Sequence, residues 1–122
     1  MCLAPSISTR DGKGILALGT PGSYGILQTQ VQAMVGHVDF GLDIQAAIEM
    51  PRARLWDGKQ IYLERRVPHS VCVELSARGH DVALLPDYSW RTGGMQAVSR
   101  DPDSGALAGA ADSRRDGAVI PA

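Results

Sequence analysis

Aromatic side chains are scarce in this sequence, 5% of 122 residues, and no stacking platform for single-stranded nucleic acid can be built from so few. Charge of one sign is not in excess either. Twelve basic and thirteen acidic residues leave a net charge of −1, which excludes a basic footprint for nucleic acid and any acidic or basic tail. No apolar run approaches the ~18 residues needed to span a membrane. The opening Met1 to Pro5 has neither a basic n-region nor an apolar h-region, so no signal peptide is expected in the chain as it stands, and a cytoplasmic location is the corresponding reading. Cys2 and Cys72 are too few and too far apart for a disulfide framework. His37, His69 and His80 share no metal-ligand spacing, so no metal site is expected. What remains is a composition 44% hydrophobic and 20% charged, in 13.0 kDa, the profile of one globular domain spanning residues 1–122.

The pattern along the chain alternates short elements without repeats. Ser6 to Thr9 reads as a strand, Asp11-Gly12 as a hairpin turn, and Ile15 to Leu18 as a buried strand. Gly19 to Gly25 is too rich in Gly and Pro to continue either state. Leu27, Val31, Met34, Val35 and Val38 then recur at helical spacing and predict one apolar helix face, with Gln28, Gln30 and Gln32 largely off it. Asp43 is a good N-cap for a short second helix carrying Ile44, Ala47 and Ile48, which Pro51 ends. Leu55 and Trp56 begin an extended stretch, Asp57-Gly58 turns it, and Ile61 to Glu64 returns as a strand. A third helix is punctuated by Pro68 at its first turn and Gly79 just past its end, with Val71, Cys72 and Leu75 as its apolar stripe. That stripe makes Cys72 a small core residue. Val82 to Leu85 is the next strand, and Met95 to Val98 pairs with Ala106 to Ala110 around a turn at Asp101 to Gly105. Hairpins with helices laid over them predict an α+β fold built on an antiparallel sheet with covering helices. Past Asp112 the chain reads as irregular, and Asp112-Ser113-Arg114-Arg115-Asp116 as a solvated cluster of local ion pairs.

Few residues are nominated for chemistry. The Gly19 to Gly25 segment joins a strand to a helix N-terminus, where unpaired amides and the helix dipole favour an anion or a developing oxyanion. The same glycines equally suit a tight connection that binds nothing. Cys2 would become an N-terminal cysteine on loss of Met1, with its α-amino group as base. The plainer reading is an ordinary residue at the start of a strand, because nothing else here shapes a thiolate site. Neither a Gly-x-Ser-x-Gly elbow, a phosphate loop nor a His-Glu-x-x-His helix is present.

Several short motifs, in one order, resemble the C-terminal part of the small subunit of gamma-glutamyltransferases. Ala4-Pro5-Ser6-Ile7 with Asp11-Gly12-Lys13 resembles the family's Pro-Thr-Ile strand and Asp-Gly turn. Leu18-Gly19-Thr20-Pro21-Gly22-Ser23 resembles its Gly-Ser-Pro-Gly-Gly motif. Asp39-Phe40-Gly41-Leu42 followed by Ala46-Ala47 and Met50-Pro51-Arg52 resembles its Asp-Phe-Gly-Met and Ala-Pro-Arg run. Ile61 to Glu64 resembles the extended segment that follows, Ala77-Arg78-Gly79-His80-Asp81-Val82 its Arg-Gly-His-x-Val helix end, and Gly94-Met95-Gln96-Ala97 its Gly-x-x-Gln strand. The stretch from Gly109 to Gly117 is similar to its Gly-Ala-x-Asp-Pro-Arg ending.

The resemblance implies a portion of an N-terminal nucleophile hydrolase, an αββα sandwich whose members cleave themselves to expose a threonine. That threonine attacks the γ-glutamyl amide of glutathione and passes the acyl group to water or an amine, with no cofactor. Carried onto this sequence, the family's oxyanion glycines become Gly22 and Ser23, donating through their backbone amides. The paired serines that hold the substrate carboxylate align at Met1 and Cys2, where a thiol is the weaker donor. The family's Thr-Thr-His nucleophile motif is absent from these residues and is expected upstream, as is the large-subunit arginine. The implied partners are that missing portion, or a second copy of the chain, and a small amide substrate that is γ-glutamyl or another acyl amide. Full-length members of the family are often periplasmic or secreted. A stand-alone, non-catalytic remnant is the other class of function compatible with the sequence.

Overall fold

The computed structural model describes residues 4–120. Its strands fall into two sheets. In the first, β1 (Ser6–Arg10) and β2 (Lys13–Gly19) form a hairpin. Asp11 and Gly12 turn it with φ of 51° and 75°, the left-handed pair that a two-residue hairpin needs. The sheet continues antiparallel through β6 (Gln96–Arg100) and β7 (Leu107–Ala111) in the order β1-β2-β6-β7. The second holds β3 (Ala53–Leu55), β4 (Gln60–Glu64) and β5 (Asp81–Leu85). β3 and β4 are antiparallel, but β5 runs parallel to β4 because helix α3 (His69–Ala77) carries the chain back between them. The expected hairpins and covering helices are present. The division into two sheets and the parallel pair are additions that local patterning does not reveal.

Two apolar cores follow from the two sheets. Leu16, Leu18, Met95, Ala97 and Ala110 from the first pack against Ala33, Ile44 and Ile48 of the helices above. Ile61 and Leu63 of the second pack on Cys72, with Leu75, Val67 and Val82 partly buried around them. Cys72 is therefore the core residue its spacing predicts. Val71 is not part of that stripe: it is exposed, because α3 covers only one edge of a narrow sheet. Pro68 caps α3 from just outside the helix, with ψ at 137°, and Gly79 takes φ +88° beyond its end. β2 is buried on one face only. Leu16 and Leu18 face the core while Ala17 is exposed, the alternation of a sheet covered on one side.

Helix α1 (Ile26–Met34) runs on through a wide π-helical segment at Val35–Asp39. Gly36 lies inside that segment, where a Cβ would come within 2.5 Å of Met50 Sδ, so glycine lets α1 cross α2 (Ile44–Glu49) closely. Asp43 caps α2 as expected, accepting from the Ala46 amide at 2.9 Å, and Ile44, Ala47 and Ile48 are all buried. Most of the apolar face predicted for the first helix faces outward, and of its members only Met34 packs, partly buried, against the core. Leu27, Val31, Val35 and Val38 are exposed, and the helix buries Ile26, Thr29, Gln30 and Ala33 instead. The buried polar pair is satisfied by main-chain oxygens: Thr29 Oγ1 donates to Thr92 O at 2.8 Å and Gln30 Nε2 donates to Ala4 O.

Candidate active site

The connection from β2 to α1 supplies the site's floor. Thr20 and Pro21 end the strand, and Gly22 then adopts φ 140° and Ser23 φ 53°. Both values lie where side chains are disfavoured, at a cost of about 1–3 kcal/mol for a residue such as serine. The turn closes with the Gly25 amide donating to Gly22 O at 3.0 Å, and α1 begins at Ile26. Among the described residues, neither the Gly22 nor the Ser23 amide donates a hydrogen bond. The turn is buttressed by Gly93 and Gly94. The Gly94 amide donates to Thr20 Oγ1 at 3.0 Å, and a Cβ at Gly93 would sit 2.8 Å from that oxygen and 3.0 Å from Thr29 Oγ1.

Gly22 and Ser23 open onto a cavity of about 520 Å³. Its walls come from β3, β4 and two loops: Arg54, Trp56 and Tyr62 on one side, Trp90, Arg91 and Arg115 on the other. Arg54 lies with its guanidinium carbon 4.8 Å from the Trp56 ring centroid, and Arg115 lies 5.8 Å from that of Trp90. Arg54 Nη1 donates to Arg91 O at 2.7 Å. Burial, and then the charge of Arg91, hold the Arg54 guanidinium below its ordinary pKa.

Behind the cavity lies a closed ring of charge. Glu64 is wholly buried at the end of β4. Its Oε1 accepts from Arg114 Nε at 2.6 Å, Thr92 Oγ1 at 3.0 Å and the Ser89 amide at 3.0 Å. Its Oε2 accepts from Arg114 Nη2 at 2.7 Å, Arg66 Nη2 at 2.9 Å and the Arg52 amide at 3.1 Å. Asp112, also buried, pairs with Arg52 at 2.7 Å and with Arg114 at 3.0 Å. Burial pushes the Glu64 carboxyl up, but Arg114 and the Arg52 amide more than offset it and hold the group below the usual carboxylate range. Burial lowers Arg114, and Glu64 and Asp112 raise it above its ordinary value. The cluster beginning at Asp112 is thus no solvated surface. Asp112 and Arg114 turn inward beneath β4, and only Ser113, Arg115 and Asp116 stay outside.

The family model for gamma-glutamyltranspeptidase matches residues 2–122. The chain belongs to that family. Against the acylase ACY 1 proenzyme of Pseudomonas sp. (strain V22), the gamma-glutamyltranspeptidase-type chain is 39% identical over 119 residues, 97% of its length and 20% of that proenzyme. Against the glutathione hydrolase proenzyme of Bacillus subtilis (strain 168) it is 32% identical over 118 residues, with the same two shares. The crystal structure of cephalosporin acylase from Bacillus halodurans matches with a TM-score of 0.89 at 34% identity, over 95% of this chain and 22% of that one. The gamma-glutamyltranspeptidase from Pseudomonas nitroreducens complexed with L-DON matches with a TM-score of 0.85 at 31% identity, over 98% and 62%. The chain spans about one-fifth of the length of the curated relatives it matches. These likenesses bear out the α+β class and the N-terminal nucleophile hydrolase sandwich that the motifs imply.

Of the residues named from sequence, Gly22 and Ser23 stand together at the cavity, and Cys2 lies outside the described residues. Among the described residues, no cluster of His, Cys, Asp and Glu is arranged to hold a metal ion, and no helix is long and apolar enough to cross a membrane. Sequence reasoning missed Arg54, Trp90, Arg91 and Arg115. The available signal was weak: both tryptophans of the chain sit within two residues of an arginine, at Arg54-Leu55-Trp56 and Trp90-Arg91.

Proposed function

We propose that residues 1–122 form the C-terminal segment of a gamma-glutamyltransferase-like small subunit, and that they bring the oxyanion donors to an enzyme that hydrolyses an amide or transfers its acyl group. The observation that supports this most is the Gly22–Ser23 turn. Two successive left-handed residues present undonated amides at a cavity of small-molecule size. The threonine comes from the upstream portion. Its hydroxyl adds to the amide carbonyl and gives up its proton to the α-amino group, and the carbonyl oxygen becomes negative. The Gly22 and Ser23 amides stabilise that charge without having to reorient. Collapse of the intermediate releases the amine and leaves an acyl-threonine ester. Water then yields the acid, or an acceptor amine takes the acyl group. Glycine at position 22 is required by φ 140°, whereas serine at 23 holds φ 53° at an exposed place on the cavity's edge.

The test is Gly22→Val in the full-length protein, assayed with a chromogenic γ-glutamyl anilide. A lost oxyanion donor costs about 3 kcal/mol, so kcat falls roughly a hundredfold with a smaller change in KM. The 122-residue chain alone gives no turnover, since donors without a nucleophile do not complete the reaction. An unchanged kcat in a folded Gly22→Val enzyme would leave the turn a purely structural device.

A further inference from the structure

One peptide group carries the Pro21 carbonyl at one end and the Gly22 amide at the other. Among the described residues that amide donates no hydrogen bond, but the carbonyl is held: Thr20 Oγ1 donates to Pro21 O at 2.9 Å. The Thr20 hydroxyl has a single proton, and its direction is set from the other side, where the Gly94 amide donates to the same oxygen at 3.0 Å. Thr20 is buried just past the end of β2. The loop that brings Gly94 is itself pinned. Thr92 O accepts from Thr29 Oγ1 at 2.8 Å and from Arg52 Nη1 at 3.1 Å, and Thr92 Oγ1 donates to Glu64 at 3.0 Å. A Cβ at Gly22 would lie 3.6 Å from Gly93 Cα, so the two loops meet backbone to backbone.

We infer that Thr20 is a positioning residue for the Gly22 donor: its hydroxyl, fixed by Gly94, orients and polarises the Pro21–Gly22 peptide so that the Gly22 N–H meets the developing oxyanion. The inference rests on the proposed oxyanion reading of the turn. Orientation follows because a peptide group is planar, so holding its carbonyl also aims the N–H on the opposite side. Polarisation follows because a bond accepted at the carbonyl oxygen draws electron density through the amide and strengthens the N–H, by roughly 10–30% per bond. Both effects are in place before reaction and are realised as charge appears on the substrate oxygen, so they act on kcat. The carbonyl paired with the Ser23 amide, Gly22 O, accepts from the Gly25 amide at 3.0 Å. Both peptides of the turn are thus held from behind, one by a backbone amide and the other by Thr20.

Thr20→Val, which keeps the branched shape and lacks the hydroxyl, is compared with Thr20→Ser and Gly22→Val in the full-length protein. With a chromogenic γ-glutamyl anilide, Thr20→Val should lower kcat about tenfold with KM within about twofold of wild type, and Thr20→Ser should recover most of the loss. A second readout needs no turnover. Protein labelled with carbonyl-13C proline and 15N glycine gives correlations from Pro-Gly steps alone. Pro21–Gly22 is the one such step in these 122 residues, and its peak is the one that Gly22→Val removes. Its 13C and 15N resonances should both move upfield in Thr20→Val and return in Thr20→Ser. Should Thr20→Val not fold, Thr20→Cys fills the same place with a weak donor and should show the same two losses relative to Thr20→Ser. A folded Val or Cys variant with the kcat of Thr20→Ser, a loss seen only in KM, or a Gly22 resonance that does not move would overturn the role of Thr20. The oxyanion reading would then stand or fall on Gly22→Val alone. Unchanged kcat in both Gly22→Val and Thr20→Val would remove that reading and this inference together.

Discussion

Glu64 keeps its charge out of contact with water because every direction around its carboxylate is occupied by a donor. Two bonds from Arg114, one from Arg66, two amides and the Thr92 hydroxyl replace its hydration. Such a group is costly to disturb. Glu64→Gln removes the negative charge but leaves Arg114 buried, and breaking a buried pair from one side typically costs about 3–5 kcal/mol. The pH dependence has a definite sign. Glu64 titrates below its ordinary range in the folded chain, so its contribution is complete above the unfolded carboxylate value of about 4.3 and is lost as pH falls through the lower folded value. Urea unfolding at several pH values should therefore show the wild-type and Glu64→Gln curves far apart at neutral pH and converging in acid. A gap that stays constant down to pH 2 would mean the carboxylate carries no such linkage. The ring was not legible in sequence for a plain reason: its charged members, Arg52, Glu64, Arg66, Asp112 and Arg114, come from three separate stretches, and a run of alternating charge looks the same whether it is solvated or folded inward.

Glutamines do at the level of elements what arginines do at single sites. Gln28 and Gln32 are one turn apart on α1, and each turns its amide onto the free edge of β3. Gln28 exchanges both bonds with Leu55, at 3.1 and 2.7 Å, and Gln32 does so with Ala53, at 2.9 and 2.8 Å. Gln45 repeats the pattern on Ala111 at the edge of β7, at 2.9 and 3.0 Å. A primary amide has the donor and acceptor of a peptide group, so each glutamine occupies an edge position that another strand would otherwise seek. Gln32→Leu leaves one N–H and one C=O of Ala53 unpaired in a partly buried place, at a cost of about 1–3 kcal/mol, measurable by thermal unfolding. A Leu variant as stable as wild type would show that water replaces the amide there. Much of the element order was legible, because turn chemistry is local: Asp11-Gly12, the Asp43 cap, Pro51 and Gly79 each act within a few residues. The buried face of α1 was not. Periodicity finds an apolar stripe but not the side on which the sheet lies, and here Thr29 and Gln30 are drawn inward by carbonyls far along the chain. The Gly22–Ser23 turn announced itself through its own glycines, whereas the arginines around it are gathered by tertiary structure alone.

Across the whole molecule, apolar surface is left over on both sides. The outer face of α1 shows Leu27, Val31 and Val38, each more than half exposed. The far face of the first sheet shows Ile7 at 71% exposure, and the segment after β7 shows Ile120 at 87%, around a groove that also takes in Ala17 and Val98. In an αββα sandwich a sheet of this kind has a second sheet against that face. The chain by itself should associate, since pairing covers apolar area and satisfies edge amides together. Sedimentation velocity over a concentration series should give a mass that rises with concentration. A monomer at high concentration, unfolding cooperatively at a midpoint independent of concentration, would mark a self-sufficient domain.

The ring around Glu64 also sets an order of events during synthesis. Glu64 and Arg114 are 50 residues apart in sequence, and Asp112 precedes Arg114 by two. A growing chain on the ribosome carries β4, α3 and β5 before the cation that completes β4 has been made. Until then Glu64 has Arg66, Thr92 and the Arg52 and Ser89 amides as partners but lacks both bonds from Arg114, and Arg52 lacks Asp112. The lock closes only when the segment after β7 arrives, so the last residues of the ring to be made are the ones that tie that segment to β4 and to Arg52.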